Sequence, residues 1–376
     1  MSEEVKRGLE GVLVAESELS FIDGDAGKLV YRGYAIEDFA KEASYEEVLY
    51  LLWNGGWPTR SELETFADRL ASNRELAPGV YETIRELAEQ DETPMAALRT
   101  VTSMLSAYEP QTGSKDKKTV LSKGARLTAK MPTIVAAFDR IRNGDDPVAP
   151  REDLDHAGNF LYMLNGEEPD DVAAATFDTA LVLHADHGLN ASTFAAMVTA
   201  STLSDLHSAV TSAIGTLAGG LHGGANQNVM KMLREIEESA KDPTEWIADA
   251  IESGRRIPGF GHRVYNVKDP RAKILAEYSE DLGEASGDTH LYEYSVAIEE
   301  YMAEHKNIAP NVDFYSASMY YQMGIPIDVY TPIFAVSRVG GWIAHVLEQY
   351  DDNRLIRPRA RYVGPRDQTF VPLDER

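Results

Sequence analysis

The sequence has no cysteine, which removes disulfide staples, thiolate metal ligands and a thiol nucleophile together. It also lacks any apolar run near the ~20 residues that a membrane-spanning helix needs. Its first residues, MSEEVKRGLEG, carry no apolar stretch of the kind a secretory signal requires, so the chain is expected in the cytoplasm. Basic residues are scarce: 36 Lys and Arg stand against 61 Asp and Glu, a net charge of −25. Such a surface repels phosphate backbones and anionic headgroups, so neither nucleic acid nor a membrane is expected as a partner. Two readings of the acidity remain, an acidic interaction protein or a halophile's hydrated surface adapted to molar salt. The acids are spread along the chain and aromatics make up an ordinary 9%, which favours the halophilic surface over disorder.

The 376 residues, 43% of them hydrophobic, suffice for two domains with cores of their own. Helical periodicity dominates. Leu127, Met131, Ile134, Phe138 and Ile141 form one stripe of an amphipathic helix that Pro132 can kink and Asn143-Gly144 ends. Residues 172–184 (VAAATFDTALVLH) are apolar nearly all round and predict a buried helix, as do 194–200 and 209–217. Ile333, Ser337, Gly340, Ala344 and Leu347 mark another, with Gly340-Gly341 admitting a close neighbour. Strand signals are confined to 19–23 and 28–31 around Gly24-Asp25-Ala26-Gly27, a single small hairpin. EPQTGSKDKK (109–118) reads as a polar loop, and no period of roughly 20–50 residues marks a solenoid. The expected fold class is all-α, with the glycine-rich 219–224 and the break at 324–326 bounding a second domain between them.

Reactive and cationic side chains gather beside glycine in LHADHGLN (183–190), GGLHGGAN (219–226), RIPGFGHRVYNVKDPR (256–271) and NVDFYS (311–316). Basic residues follow in SRVGG (337–341) and LIRPRARYVG (355–364). Glycines flank His222 on both sides and a helical segment begins just after, a setting that presents free N–H groups to an anion. His262 sits in a glycine turn near Arg255, Arg256 and Arg263, where a carboxylated or phosphorylated ligand can be held. Arg271 is read either as a ligand or as a helix-start arginine that pairs with an acid. Asp313, taken alone, reads as a helix N-cap. His184 and His187 are spaced to share a helix face and so could hold a metal. No third strong ligand or metalloenzyme pattern accompanies them, and nearby arginines repel a cation while attracting carboxylates, so an organic acid fits better. His184 is more economically a core histidine.

These motifs, taken in order, resemble citrate synthase: GLEGVLVAESELSFIDGDAGKLVYRGYAIEDFA, KMPTIVA, LHADHGLNAST, GGLHGGAN, RIPGFGHRVY with DPR, PNVDFYS and IRPRARYVG span nearly the whole chain. The resemblance implies a large helical domain (1–223 and 325–376) with an inserted small domain (224–324) and a site in the cleft between them. It implies that His222 helps activate acetyl-CoA, that Asp313 takes the methyl proton and that His262 polarises the oxaloacetate carbonyl. His187, Arg271 and Arg338 would bind oxaloacetate together with Arg357, which in the family reaches over from the second subunit of a homodimer. CoA would lie along Arg256, Ile257, Pro258, Gly259, Phe260 and Gly261, with Lys306 and Asn311. No metal or redox cofactor is implied, and the chain matches the dimeric type, not the larger NADH-regulated hexamers.

One position departs from the family pattern: Asn266 stands where relatives usually carry a basic residue facing CoA phosphates, leaving Lys268 and Lys306 as candidates. The nearest rival activity is 2-methylcitrate synthase, which uses propionyl-CoA. A metal-dependent lyase built on His184 and His187, and a non-catalytic acidic helical binding protein, are alternatives of other classes.

Overall fold

The computed structural model describes residues 5–376. Strands β1 (Ser20–Asp23), β2 (Lys28–Tyr31) and β3 (Tyr34–Ala35) form one antiparallel sheet in that order, with Ser20 opposite Tyr31 and Asp23 opposite Lys28. The third strand is too short to carry the alternation that revealed the other two. The sheet leads into α1 (Ile36–Phe39), α2 (Tyr45–Asn54), α3 (Arg60–Ala71), α4 (Pro78–Glu89) and α5 (Pro94–Leu105). Then come α6 (Lys117–Arg142), α7 (His156–Asn165), α8 (Asp171–His184), α9 (Ala191–Ser201) and α10 (Leu206–Leu217). They are followed by α11 (Ala225–Ser239), α12 (Pro243–Glu252), α13 (Pro270–Ser286), α14 (His290–Lys306), α15 (Val312–Gln322) and α16 (Tyr330–Asp351). The fold is all-α apart from the hairpin sheet, and among the described residues no helix is long and apolar enough to cross a membrane.

Part of the acidic excess has a local structural use. Asp116, Asp155, Asp170, Asp205, Asp242 and Asp269 each accept a backbone N–H at a helix start, where a negative charge also meets the positive end of the helix dipole. Ser44 with Glu47 and Thr59 with Glu62 form complete capping boxes on α2 and α3. Helix α6 runs through Pro132 and stops at Asn143, with Gly144 in the left-handed region.

Helix α16 is the axis of the larger packed body: α2, α6, α8, α9 and α10 all pack on it. Eighteen of its residues are buried, from Tyr330 to Gln349, which is why its apolar residues show no polar face. Gly340 and Gly341 admit two neighbours. A Cβ at Gly340 would meet Leu49 Cδ2 at 2.3 Å, and one at Gly341 would meet the Ala185 carbonyl oxygen at 2.4 Å. Helices α11 to α15 pack chiefly on one another, and α13 on α8 and α11 on α16 join them to the rest. Several of the residues singled out in the sequence lie at those junctions, His184 at the end of α8, Arg271 at the start of α13 and Arg338 on α16.

Candidate active site

Helix α8 ends at His184, and His187 lies in the irregular stretch beyond it. The two histidines therefore do not share a helix face, which corrects the spacing argument made from sequence. The turn has no glycine or proline at its start to announce it; instead the chain is drawn off the helix by Asp186. That buried carboxylate accepts from the Ser20 hydroxyl and lies 3.1 Å from His345 Nε2. Among the described residues no group of three His, Cys, Asp or Glu side chains is placed to hold a metal ion. His184 donates Nδ1–H to the Ala180 carbonyl at 2.7 Å and is buried, the core role read from sequence, although its Nε2 has no partner among the described residues.

Two buried arginines meet beside it. Arg271, at the start of α13, donates Nε and Nη2 to the two oxygens of Asp269 at 3.0 and 2.8 Å, and both side chains are shut from solvent. Of the two sequence readings of this arginine, the structure bears out the helix-start arginine paired with an acid. Arg338 donates Nε to the His184 carbonyl at 2.6 Å and lies 4.6 Å from the Phe334 ring centroid. Burial lowers its pKa to about 10 against the pull of Asp186, so it stays cationic at neutral pH. Arg271 Nη1 and both terminal nitrogens of Arg338 make no hydrogen bond among the described residues. They are donors for carboxylate that the protein leaves unused.

The histidines around this charge are neutral and each faces a definite way. His187 is buried, and its pKa is pushed well below the ordinary value by burial and then by Arg271 and Arg338. Its Nε2 lies 3.2 Å from the Tyr265 hydroxyl and its ring centroid 5.2 Å from that of His262. His262 Nδ1 accepts the backbone N–H groups of Val264 and Tyr265 at 3.0 and 3.2 Å. A neutral ring therefore carries its proton on Nε2. Burial, followed by the Arg271 charge, lowers its pKa to about 4. His222 Nε2 accepts the Ser192 N–H at 3.3 Å and lies 2.9 Å from the Ser192 hydroxyl, which leaves Nδ1 as the protonated nitrogen. Burial and the Arg338 charge bring this ring to about 4 as well. At neutral pH both rings can donate a hydrogen bond without carrying charge.

Asp313 is the second residue of α15, and the cap is Asn311, whose side chain accepts the Asp313 N–H at 3.0 Å. This corrects the reading of Asp313 as the N-cap: Asn311, two residues earlier, takes that role, which frees the Asp313 carboxylate. It accepts no hydrogen bond among the described residues. Burial raises its pKa to about 6, against the lowering effect of Arg271.

The PGFG turn is bound to the start of α15: Asn311 donates N–H to Gly259 O and Nδ2 to Gly261 O, both at 2.9 Å, and Phe260 packs on the Phe314 ring. Gly259 (φ 80°) could not carry a Cβ, which would meet Val229 and Phe314 at 2.7 and 2.8 Å. Ile257 and Phe260 are buried while Arg256 and Lys306 are exposed, and beside His262 these residues line an open cleft of about 670 Å³. Lys268 is engaged with Glu299 at 2.6 Å, and Asn266 donates Nδ2 to Asp25 at 2.6 Å. Arg357 is exposed on the C-terminal segment, outside this cluster, with no partner among the described residues. Three supporting residues were not singled out from sequence: Ser192, Tyr265 and Trp342, whose Nε1 donates to the Ser192 hydroxyl at 3.2 Å. Their places beside recognised motifs were the only signal.

The family model for the citrate synthase C-terminal domain matches residues 8–359. Over all of both chains the sequence is 70% identical to a citrate synthase of Haloferax volcanii. It is 38% identical to a 2-methylcitrate synthase of Corynebacterium glutamicum, over 99% of each chain. The fold matches citrate synthase from Pyrobaculum aerophilum with a TM-score of 0.90 at 44% identity, over 99% of this chain and 95% of that one. It matches a ternary complex of the Thermoplasma acidophilum enzyme with carboxymethyl coenzyme A and oxaloacetate at 0.91, with 35% identity over the full length of both. Matched from end to end in both sequence and fold, the chain belongs to the citrate synthase family.

Proposed function

We propose that the cluster condenses acetyl-CoA with oxaloacetate to give citrate and CoA, with the following division of labour. Asp313 takes a proton from the acetyl methyl group; a carboxylate with its pKa raised to about 6 is a stronger base than a solvated one. As that proton leaves, charge develops on the thioester oxygen, and His222 Nδ1–H donates to it from a neutral ring. The enolate carbon attacks the ketone carbon of oxaloacetate while His262 Nε2–H meets the oxygen that becomes the alkoxide. Arg271, Arg338 and His187 hold the carboxylates and fix the exposed face. Water then cleaves the citryl thioester, releasing CoA and making the overall reaction effectively irreversible. No electrons pass to a carrier, so this chemistry calls for no redox cofactor. The observation that carries the reading is the pair of neutral histidines, each accepting backbone N–H on one ring nitrogen so that its own proton sits on the other.

We further assign residues 224–324 as a small domain that closes on the rest, excluding water before the thioester reacts. CoA runs along Arg256–Gly261 toward Lys306 and Asn311. The working form is a homodimer in the cytoplasm at high salt. Supporting the dimer, apolar residues of both terminal segments stand open to solvent in the single chain, Leu13 at 96% and Val363 at 90% exposed, and Arg357 is then free to complete the partner's site.

The test is CoA-thiol release with oxaloacetate in molar KCl, comparing acetyl-CoA with propionyl-CoA. The absence of cysteine gives the protein no thiol background. Faster release from acetyl-CoA is expected. Preference for propionyl-CoA would reassign the substrate and keep the mechanism, because one methylene is worth only ~1–3 kcal/mol in such a pocket. No release with either from folded protein would refute the reading.

A further inference from the structure

The hairpin of β1 and β2 touches both loops that carry site histidines. At its open end the Ser20 hydroxyl donates to Asp186 and accepts the Gly188 N–H at 3.0 Å, while the Tyr31 hydroxyl donates to the Asp186 carbonyl at 2.7 Å. These bonds grip the chain on either side of His187. At its tip, Gly24 O accepts the Asn266 N–H at 2.9 Å and Asp25 Oδ1 accepts from Asn266 Nδ2 at 2.6 Å. The tip is itself set by Asp23, which accepts the N–H groups of Asp25 and Ala26 at 3.1 and 2.8 Å. Its approach demands glycine: a Cβ at Gly24 would lie 2.0 Å from the Val264 carbonyl oxygen, and one at Gly27 would lie 2.7 Å from Val267 Cγ2.

The loop gripped by the tip is the one that orients His262, through the N–H groups of Val264 and Tyr265. Tyr265 then reaches back to within 3.2 Å of His187 Nε2. The contacts close a ring, from hairpin tip to 264–268, through Tyr265 to His187, through 186–188 to the hairpin base. An antiparallel ladder is stiff along its length, so the separation of the two histidines is set by a part of the chain that contains neither.

We propose that this hairpin is a clamp that sets His187 against His262, and that Asp25 and Asn266 are its positioning pair. The inference rests on the roles assigned above to those histidines. Asn266, at a position the resemblance would give to CoA phosphate, is instead committed to the oxaloacetate side. Neither side chain touches substrate in this account. Both are exposed, so exchanging them leaves the core untouched.

The experiment is a double-mutant cycle in molar KCl: Asn266→Asp, Asp25→Asn and the two combined. Steady-state constants would be measured for each substrate, with oxaloacetate binding measured separately by calorimetry. Asn266→Asp sets two carboxylates face to face. It is expected to lower kcat and weaken oxaloacetate binding by roughly tenfold or more, with the KM for acetyl-CoA unchanged. The combined variant restores a hydrogen bond of opposite polarity and is expected within about threefold of the wild type. If Asn266→Asp raises only the acetyl-CoA KM and Asp25→Asn gives no rescue, the clamp is overturned and Asn266 faces CoA. If every variant behaves as the wild type, the clamp is overturned also. A wild-type chain that neither binds oxaloacetate nor releases thiol would instead remove the functional reading beneath it.

Discussion

A partly buried carboxylate that accepts no hydrogen bond costs free energy, and Asp313 is one among the described residues. Its folded pKa of about 6 lies above the ordinary 3.8, so the folded state favours the protonated form. The cost is therefore absent below about pH 4, grows between pH 4 and 6, and is fully present above. Asp313→Asn is expected to raise stability at about pH 8 by on the order of 1–3 kcal/mol, and to lose that gain near pH 4, as followed by denaturant unfolding. On the proposed mechanism, in which the carboxylate is the working form, the wild-type rate is expected to rise through about pH 6 with a single proton. Arg271 and Arg338 differ in what their removal leaves behind. Arg271→Ala strands the buried Asp269 carboxylate and is expected to destabilise by about 3–5 kcal/mol. Arg338→Ala leaves no ion-pair partner among the described residues, and its loss is expected mainly in oxaloacetate affinity, read by calorimetry beside a melting curve.

Helix α16 presents two adjacent glycines to different neighbours, and a methyl group at each reports on a different property. At Gly340 it presses on Leu49, a core side chain, and overpacking of this kind costs about 1–3 kcal/mol. At Gly341 it presses on the Ala185 carbonyl and the Asp186 side chain, the backbone just before His187. Gly340→Ala is expected to lower the melting temperature with near-normal oxaloacetate binding, and Gly341→Ala to weaken that binding more than Gly340→Ala does. Much of this helix was readable beforehand, because a run that is apolar on every side and broken by paired glycines has few places to go except the interior. The one helix cap read from the sequence, Asp313, lies two residues inside the cap the structure uses, Asn311. What could not be read was settled by tertiary contacts. Asp186 ends α8 before His187 through partners more than 150 residues away, so spacing alone put two histidines on one face. Ser192, Tyr265 and Trp342 have no chemistry of their own to advertise; they matter because the fold brings them to His222, His262 and His187. The segments that hold the site stood out for the opposite reason, since glycine beside histidine and arginine serves packing poorly.

Across the whole molecule, six of the nine histidines have pKa values depressed by burial: His156, His184, His187, His207, His222 and His262. Unfolding lets them take up protons below about pH 6.5. Four carboxyls raised by burial, Glu46, Asp139, Asp178 and Asp313, act in the opposite sense, taking up protons in the folded state first. The histidines outnumber them by two. Stability in molar KCl, where surface repulsion is screened, is therefore expected to fall on acidification from about pH 6.5 to 5. The slope expected is on the order of 2–4 kcal/mol per pH unit, read from denaturation midpoints. At low salt and neutral pH the net charge of −25 opposes compaction, and the melting temperature is expected to rise steadily as KCl is added. A melting temperature independent of salt would contradict the salt-adapted surface.

The central claim is that Asp313 removes the proton that starts carbon–carbon bond formation. The most direct measurement is the rate of CoA-thiol release by Asp313→Ala at saturating acetyl-CoA and oxaloacetate in molar KCl, beside wild type and with folding checked by melting. A loss of roughly 10²–10⁴-fold in kcat is expected, with oxaloacetate still bound by the intact arginines. A folded Asp313→Ala that turns over within a few-fold of wild type would contradict it.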